Sequence, residues 1–298
     1  MFAPQLGRNM KVYVDDMLTK SLEIDNHRVD LEETFATLRW YNMLLNSEKC
    51  VFGVTSGKFL GFMVHQRGIE ANPDKIKAIQ ELQSPRTIKE IQGLTRLVVD
   101  LLRFVSRLTD RCLPFYRALK KNTSNRWTLE CEKAFPELKR YLTSPLMLSK
   151  PQTGETLFLY LAVSPEAVSS VLIRNDKGTQ WAVYYVSKAM TSLETRYSEI
   201  EKLALALITM ARRLRPYFQA HPIIVLTKDP LRQVMQKLEA SGRMIKWSVE
   251  LSEFDISFRP RNAIKGQAIA DFVSKFTIND VALVTDEQVS NWKLFVDR

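Results

Sequence analysis

The chain has 298 residues, 45% hydrophobic and 26% charged, enough to bury real cores in two or three modest domains. A net charge of +10 and a pI near 9.5 point to a polyanionic partner, nucleic acid being the commonest, or else to a basic soluble enzyme without one. The three cysteines, Cys50, Cys112 and Cys131, lie far apart with no C-x-x-C spacing, which excludes a disulfide framework and a zinc knuckle. His27, His65 and His221 are equally scattered. No apolar run reaches the roughly 18 residues of a membrane span, and Met1 to Met10 holds no signal-peptide core. The expectation is a soluble intracellular protein of the cytoplasm or nucleus, without a membrane partner.

In chain order, Lys11-Val12-Tyr13-Val14 and Met17-Leu18 read as two strands around a turn carrying Asp15 and Asp16. Leu31, Phe35, Leu38 and Met43 recur at helical spacing and predict a helix over about 21–45. Residues 50–52 and 58–64 read as short strands of a β-meander, with turns at Thr55-Ser56-Gly57 and Gln66-Arg67-Gly68. Asn72-Pro73 opens a helix that Ser84-Pro85 closes, and the Thr87-x-x-Glu90 capping box launches a second, expected to reach about Leu108. Within it Asp100 interrupts an apolar run, either on a solvent face or as a sign of relaxed constraint. A helix is expected over about 130–142, broken or started at Pro136, since an interior proline costs on the order of 3 kcal/mol.

From Glu155 the pattern changes. Strands are predicted at 157–163, 167–173 and 181–187, then a long helix at 193–214 and a strand at 223–227. Helices near 231–238 and 241–252, a strand at 254–259 and a helix at 265–276 complete an α/β layer in which a meander continues into crossover units. The stretch 292–297 reads as one more strand.

Asp15 and Asp16 are adjacent carboxylates at a hairpin tip, a hard-oxygen pair suited to Mg²⁺. An isolated Asp-Asp is usually just a solvated turn. The string Tyr13-Val14-Asp15-Asp16 between apolar strands is far more specific, and it resembles the catalytic turn of reverse transcriptases. The resemblance extends through Asn9 to Leu18, His27, Leu31 to Phe35, Leu44 to Cys50, Phe59 to Phe62 and Gly68 to Lys75. Over essentially the whole chain it is to the Pol polyprotein of gypsy-type retrotransposons with long terminal repeats, most nearly the plant lineage.

That resemblance implies an α/β (α+β) fold: part of a reverse transcriptase palm (1–70), thumb-like helices (71–112), a connection (113–154) and a ribonuclease H-like mixed-sheet domain (155–276). Residues 277–298 would be a linker and the start of a second ribonuclease H domain. It gives Asp15 and Asp16 as palm metal ligands for Mg²⁺ and Phe59, Leu60, Gly61 and Phe62 as the hairpin that grips the primer. Lys75, Lys77 and Lys89 become thumb cations for phosphates, against the plain alternative of a solvated helix face. The implied partners are an RNA/DNA hybrid or single-stranded nucleic acid and the rest of the polyprotein.

Two-metal chemistry needs more carboxylates than that turn holds. Only twelve residues precede Tyr13 and none is acidic, so the isolated chain is expected to lack a third palm ligand and the fingers. In the ribonuclease H-like segment, Ala162, Leu203 and Lys228 stand where the family carries acids. Glu199, Glu201 and Asp229 are nearby but displaced, and only Asp271 matches. At 292–297 the resemblance makes Asp297 a first ligand of the next domain. The implied activity, RNA-directed DNA polymerase with ribonuclease H, is therefore not expected of this chain alone. The alternatives are a non-catalytic nucleic-acid-binding remnant or the product of a decaying element.

Overall fold

A computed structural model describes residues 1–21, 23–119, 127–143, 147–236 and 242–260. They divide after Asn72 into two compact units. In the first, β1 (Met10–Tyr13) and β2 (Asp16–Thr19) form an antiparallel hairpin closed by the pair Tyr13↔Asp16. Helix α1 (Ile24–Trp40) lays Phe35 and Leu38 against Met10, Val12 and Met17. A polar network fixes the preceding loop to α1. Arg8 grips Glu33 with contacts of 2.5 and 2.7 Å, and Asn9 Nδ2 and Ser21 Oγ each donate to Asp30 at 2.6 Å. The bonds from Ser21 and Asn9 hold the Asp30 carboxyl below the usual carboxylate range.

Helix α1 stops five residues short of the predicted 45. Asn42 adopts a left-handed φ of 53°, and the Met43 N–H turns back to Leu38 O at 3.0 Å, a C-terminal cap that ends the helix before Met43. Residues 50–52 form no strand; the Phe52 ring packs on Phe35 instead, 5.7 Å between centroids. The expected turn at 55–57 is also displaced, because Ser56 and Gly57 open β3 (Ser56–Phe59). The strand expected over 58–64 is divided by a turn at Leu60-Gly61, and β4 (Phe62–His65) and β5 (Gly68–Ala71) complete an antiparallel meander with β3.

The second unit opens with α2 (Pro73–Glu81) and α3 (Ile88–Asp100). Thr87 Oγ1 accepts the Glu90 N–H at 3.3 Å, while Glu90 accepts the N–H groups of Arg86 at 2.7 Å and Thr87 at 3.3 Å. These two backbone donors also keep the Glu90 carboxyl acidic. Asp100 is exposed and accepts from Lys75 Nζ at 2.6 Å, so it sits on the solvent side. Helix α3 ends there and not at Leu108. Tight turns follow, through Leu101 N to Val98 O and Phe104 N to Leu101 O, and α4 (Leu108–Ala118) begins after Arg107 at φ 49°. Leu101, Phe104, Val105 and Leu108 are all buried, so the apolar spacing runs on across a break in the helix. Helix α5 (Leu129–Tyr141), capped by Thr128, passes through Pro136 without breaking, with Pro136 on its exposed side. Short β6 (Met147–Ser149) lies beside the sheet that follows.

That sheet comprises β7 (Leu157–Val163), β8 (Ala167–Asp176), β9 (Thr179–Ala189), β10 (Ile223–Thr227) and β11 (Ile256–Pro260), in the order β11-β10-β7-β8-β9. The β7-β8-β9 meander is antiparallel, whereas β10 pairs parallel to β7 and β11 parallel to β10. Helix α6 (Glu199–Arg213) starts after a 3₁₀ turn at Glu194–Arg196, later than predicted, because Ser198 and Glu201 form a capping box. Its residues Leu203 to Ile208 are all buried, as befits a helix packed on the core face of a sheet, and Ser170 Oγ donates to Ala206 O at 3.3 Å. Pro216 starts the separate α7 (Arg215–Ala220). Helices α8 (Leu231–Gln236) and α9 (Gly242–Leu251) link β10 to β11. The predicted helix at 265–276 and strand at 292–297, with Asp271 and Asp297, lie outside the described residues.

Helix α4 is joined to this sheet by polar contacts. The hydroxyls of Thr109 and Ser187 meet at 2.8 Å, and the Thr109 N–H donates to Ser187 Oγ at 3.2 Å. Ser164 Oγ donates to Asp110 at 2.6 Å, and Arg117 pairs with Glu166.

Candidate nucleic-acid interface

The β1–β2 turn has two central residues, Val14 and Asp15, and Val14 takes φ 52°. A β-branched residue there is a backbone outlier, costing about 1–2 kcal/mol. Val14 is 81% exposed, so no burial of its side chain offsets that cost. Strain of this kind tends to mark functional turns. Asp15 and Asp16 project their carboxylates to solvent beside it.

The second hairpin turns through Leu60 at φ 51° and Gly61 at φ 75°, both left-handed, which is the two-residue turn that matches strand twist. Gly61 supplies one such conformation without strain; Leu60 does not. The Leu60 N–H donates to Asp16 Oδ2 at 3.2 Å. The two hairpin tips, 44 residues apart in sequence, are therefore tied together at Leu60 and Asp16.

The exposed oxygens of Asp15 and Asp16 are hard donors that fit part of a Mg²⁺ site. Among the described residues, no group of three or more His, Cys, Asp or Glu could hold a metal ion. Of the thumb cations, Lys75 is engaged by Asp100 at 2.6 Å and Lys77 by Glu81 at 3.7 Å, one turn along α2, while Lys89 is exposed on the first turn of α3.

In the sheet domain, Ala162, Leu203 and Lys228 stand where the resemblance expects acids. Ala162 is half-buried and opposes Ser169, which in turn opposes Ser187, the residue bonded to Thr109 of α4. Leu203, on α6, is buried in the core. Lys228 is exposed just beyond β10. The parallel register of β10 on β7 runs from Ile223↔Leu157 to Leu226↔Tyr160. The displaced acids have structural work. Glu201 Oε2 accepts the Ser198 N–H at 3.0 Å, and its other oxygen lies 3.6 Å from Arg243. Asp229 folds onto Thr227, whose Oγ1 accepts the Asp229 N–H at 3.0 Å. The pattern Ser-x-x-Glu at 198–201 could have given the first of these roles from sequence.

The chain matches two known families: reverse transcriptase (RNA-dependent DNA polymerase) over residues 1–64, and the RNase H-like domain found in reverse transcriptase over residues 127–225. Among curated proteins it is 27% identical over 296 residues to the retrovirus-related Pol polyprotein from transposon opus of Drosophila melanogaster, covering 94% of this chain and 29% of that one. It is 28% identical to that from transposon 412 of the same fly, covering 92% and 22%, and 26% identical to the Tf2-3 polyprotein of Schizosaccharomyces pombe, covering 88% and 20%. The chain thus spans less than a third of these relatives. Among solved structures it resembles the foamy viral protease-reverse transcriptase in complex with RNA/DNA hybrid, at TM-score 0.73 and 23% identity over 88% of this chain and 36% of that one. The same viral protein in complex with double-stranded DNA gives TM-score 0.67 at 23% identity, over 86% and 55%. Residues 1–64 thus match a reverse transcriptase and residues 127–225 an RNase H-like domain, and along most of its length the chain is similar to that region of retrotransposon Pol polyproteins.

Proposed function

We propose that this region holds a nucleic-acid duplex for a reverse transcriptase and does not itself cut or extend it. The observation that carries the reading is the fate of the carboxylates around the sheet. Ala162, Leu203 and Lys228 cannot ligate a divalent cation, and Glu201 and Asp229 are occupied by a helix cap and a turn. Two-metal hydrolysis has no ligand set among these residues. The finer assignments rest on resemblance: a plant-type element, an RNA/DNA hybrid or single strand as partner, and the rest of the polyprotein as the source of missing parts.

In the palm-like unit the chemistry is complementary. Mg²⁺, when bound at Asp15 and Asp16, would supply charge stabilisation for phosphoryl transfer. The chain's own contribution is positional. Asp16 fixes the Leu60 turn, and the 59–62 hairpin would set a primer end beside the aspartates. A net charge of +10 favours a polyanion throughout.

Purified chain is expected to bind an RNA/DNA hybrid with affinity that falls steeply with salt, and to give no Mg²⁺-dependent primer extension. Extension that disappears in Asp15→Ala would contradict the non-catalytic part. No hybrid binding at low salt would contradict the holding part.

A further inference from the structure

We propose that a cleft between the starts of α3 and α5 takes one unpaired nucleotide of a bound strand and prefers a base that carries an amino group. This rests on the duplex-holding function above and adds a single-stranded contact to it. The cleft has a volume of about 640 Å³ and is lined by Gln83 to Arg86, Trp127 and Glu132. That volume falls within the roughly 300–1,000 Å³ of small-ligand sites. Residues 83–86 lead into the Thr87 cap of α3, and Trp127 precedes the Thr128 cap of α5.

The walls are set in advance. Trp127 lies flat on Phe115, with 5.4 Å between ring centroids and 5° between planes, and meets Phe135 edge to face at 5.6 Å. Glu132 is held from two sides: Ser84 Oγ donates to its Oε1 at 2.9 Å, and Trp127 Nε1 donates to its Oε2. The Arg86 backbone is fixed through its N–H to Glu90 Oε2 at 2.7 Å, while the side chains of Arg86 and Gln83 are exposed. Walls already in place lower the ordering cost of binding.

Each group suits one part of a nucleotide. The Arg86 guanidinium is a permanent charge with the fork geometry that phosphate accepts. The indole gives an apolar wall to ribose and base. The bonds from Trp127 and Ser84 keep the Glu132 carboxyl below the usual carboxylate range, so it stays an acceptor. Each carboxylate oxygen has two lone pairs, and one donor on each leaves room for another. A carboxylate accepts from the amino group of cytosine, where uracil presents a carbonyl oxygen instead. The Gln83 amide, both donor and acceptor, can meet the rest of the base edge. A base inside a duplex has that edge paired; an unpaired one can present it.

The test compares binding of the full chain to a blunt RNA/DNA hybrid and to the same hybrid with a short oligocytidine or oligouridine overhang. The cytidine overhang should tighten binding several-fold over the blunt end, and the uridine overhang by less. Arg86→Ala should remove the gain and leave blunt-hybrid binding near the wild-type level. Glu132→Gln should erase the preference for cytidine over uridine. Arg86 is exposed, so its variant should unfold at the wild-type temperature and serves as the test even if Glu132→Gln, which also loosens Trp127, weakens the fold. Equal affinity for blunt and overhanging hybrids, or a gain that survives Arg86→Ala, overturns the nucleotide cleft and leaves duplex holding intact. A wild-type chain that binds none of these hybrids at low salt overturns duplex holding as well.

Discussion

Asp16 has a structural partner across the two hairpins: its Oδ2 accepts the Leu60 N–H. Removing it should therefore cost stability where removing its neighbour should not. Asp16→Ala is expected to lose about 1 kcal/mol in chemical denaturation, the net worth of such a hydrogen bond, and Asp15→Ala close to nothing. Equal losses would refute the tie between the turns. Asp30 gives a pH-dependent counterpart. Its carboxyl is held below its ordinary value by the Ser21 and Asn9 bonds, so its contribution to folding is fully present above the unfolded carboxylate pKa. That contribution is lost as the pH falls through the lower folded value. Asp30→Asn should flatten the stability profile of the chain below about pH 4, where the wild type declines. An unchanged profile would mean that the Asp30 network adds nothing. The Asp15-Asp16 pair was legible in the sequence because four residues in a row are informative. The Leu60 bond was not, since it joins residues that only the fold brings together.

At the scale of elements, local rules worked where the signal was local. The Thr87 capping box, the strand at 223–227 and the three-strand meander after Glu155 follow from short patterns. They failed where an apolar rhythm crosses a backbone break. Leu101 to Leu108 keep helical spacing while the chain turns, so the spacing carries the helix of α3 on to Leu108 and gives no sign of α4, which starts there. Helix α1 ends at a left-handed Asn42 that periodicity does not register. Pro136 misled in the other direction. Its ring sits on the exposed side of α5, and the Thr128 cap and the buried Cys131, Phe135 and Leu138 hold the helix through it. The strain remains, so Pro136→Ala should stabilise the chain by about 1–3 kcal/mol in thermal or denaturant unfolding. A destabilised variant would mean that Pro136 is not paying a helical penalty.

At the scale of the molecule, two units carry different parts of one ancestry. The first keeps a strained aspartate turn and the hairpin bound to it. The second has a ribonuclease H-like sheet, with Ala162, Leu203 and Lys228 where the resemblance expects acids, and α4 is bonded to its Ser187. The family was legible from motifs. The structural roles of Glu201 and Asp229 became clear only from their partners. The most direct test is RNA-strand cleavage in a labelled RNA/DNA hybrid by the purified chain, with Mg²⁺ present and salt low enough to keep the hybrid bound. Duplex holding without cutting predicts a bound, uncut RNA strand. Cleavage that disappears in Asp271→Asn would contradict it.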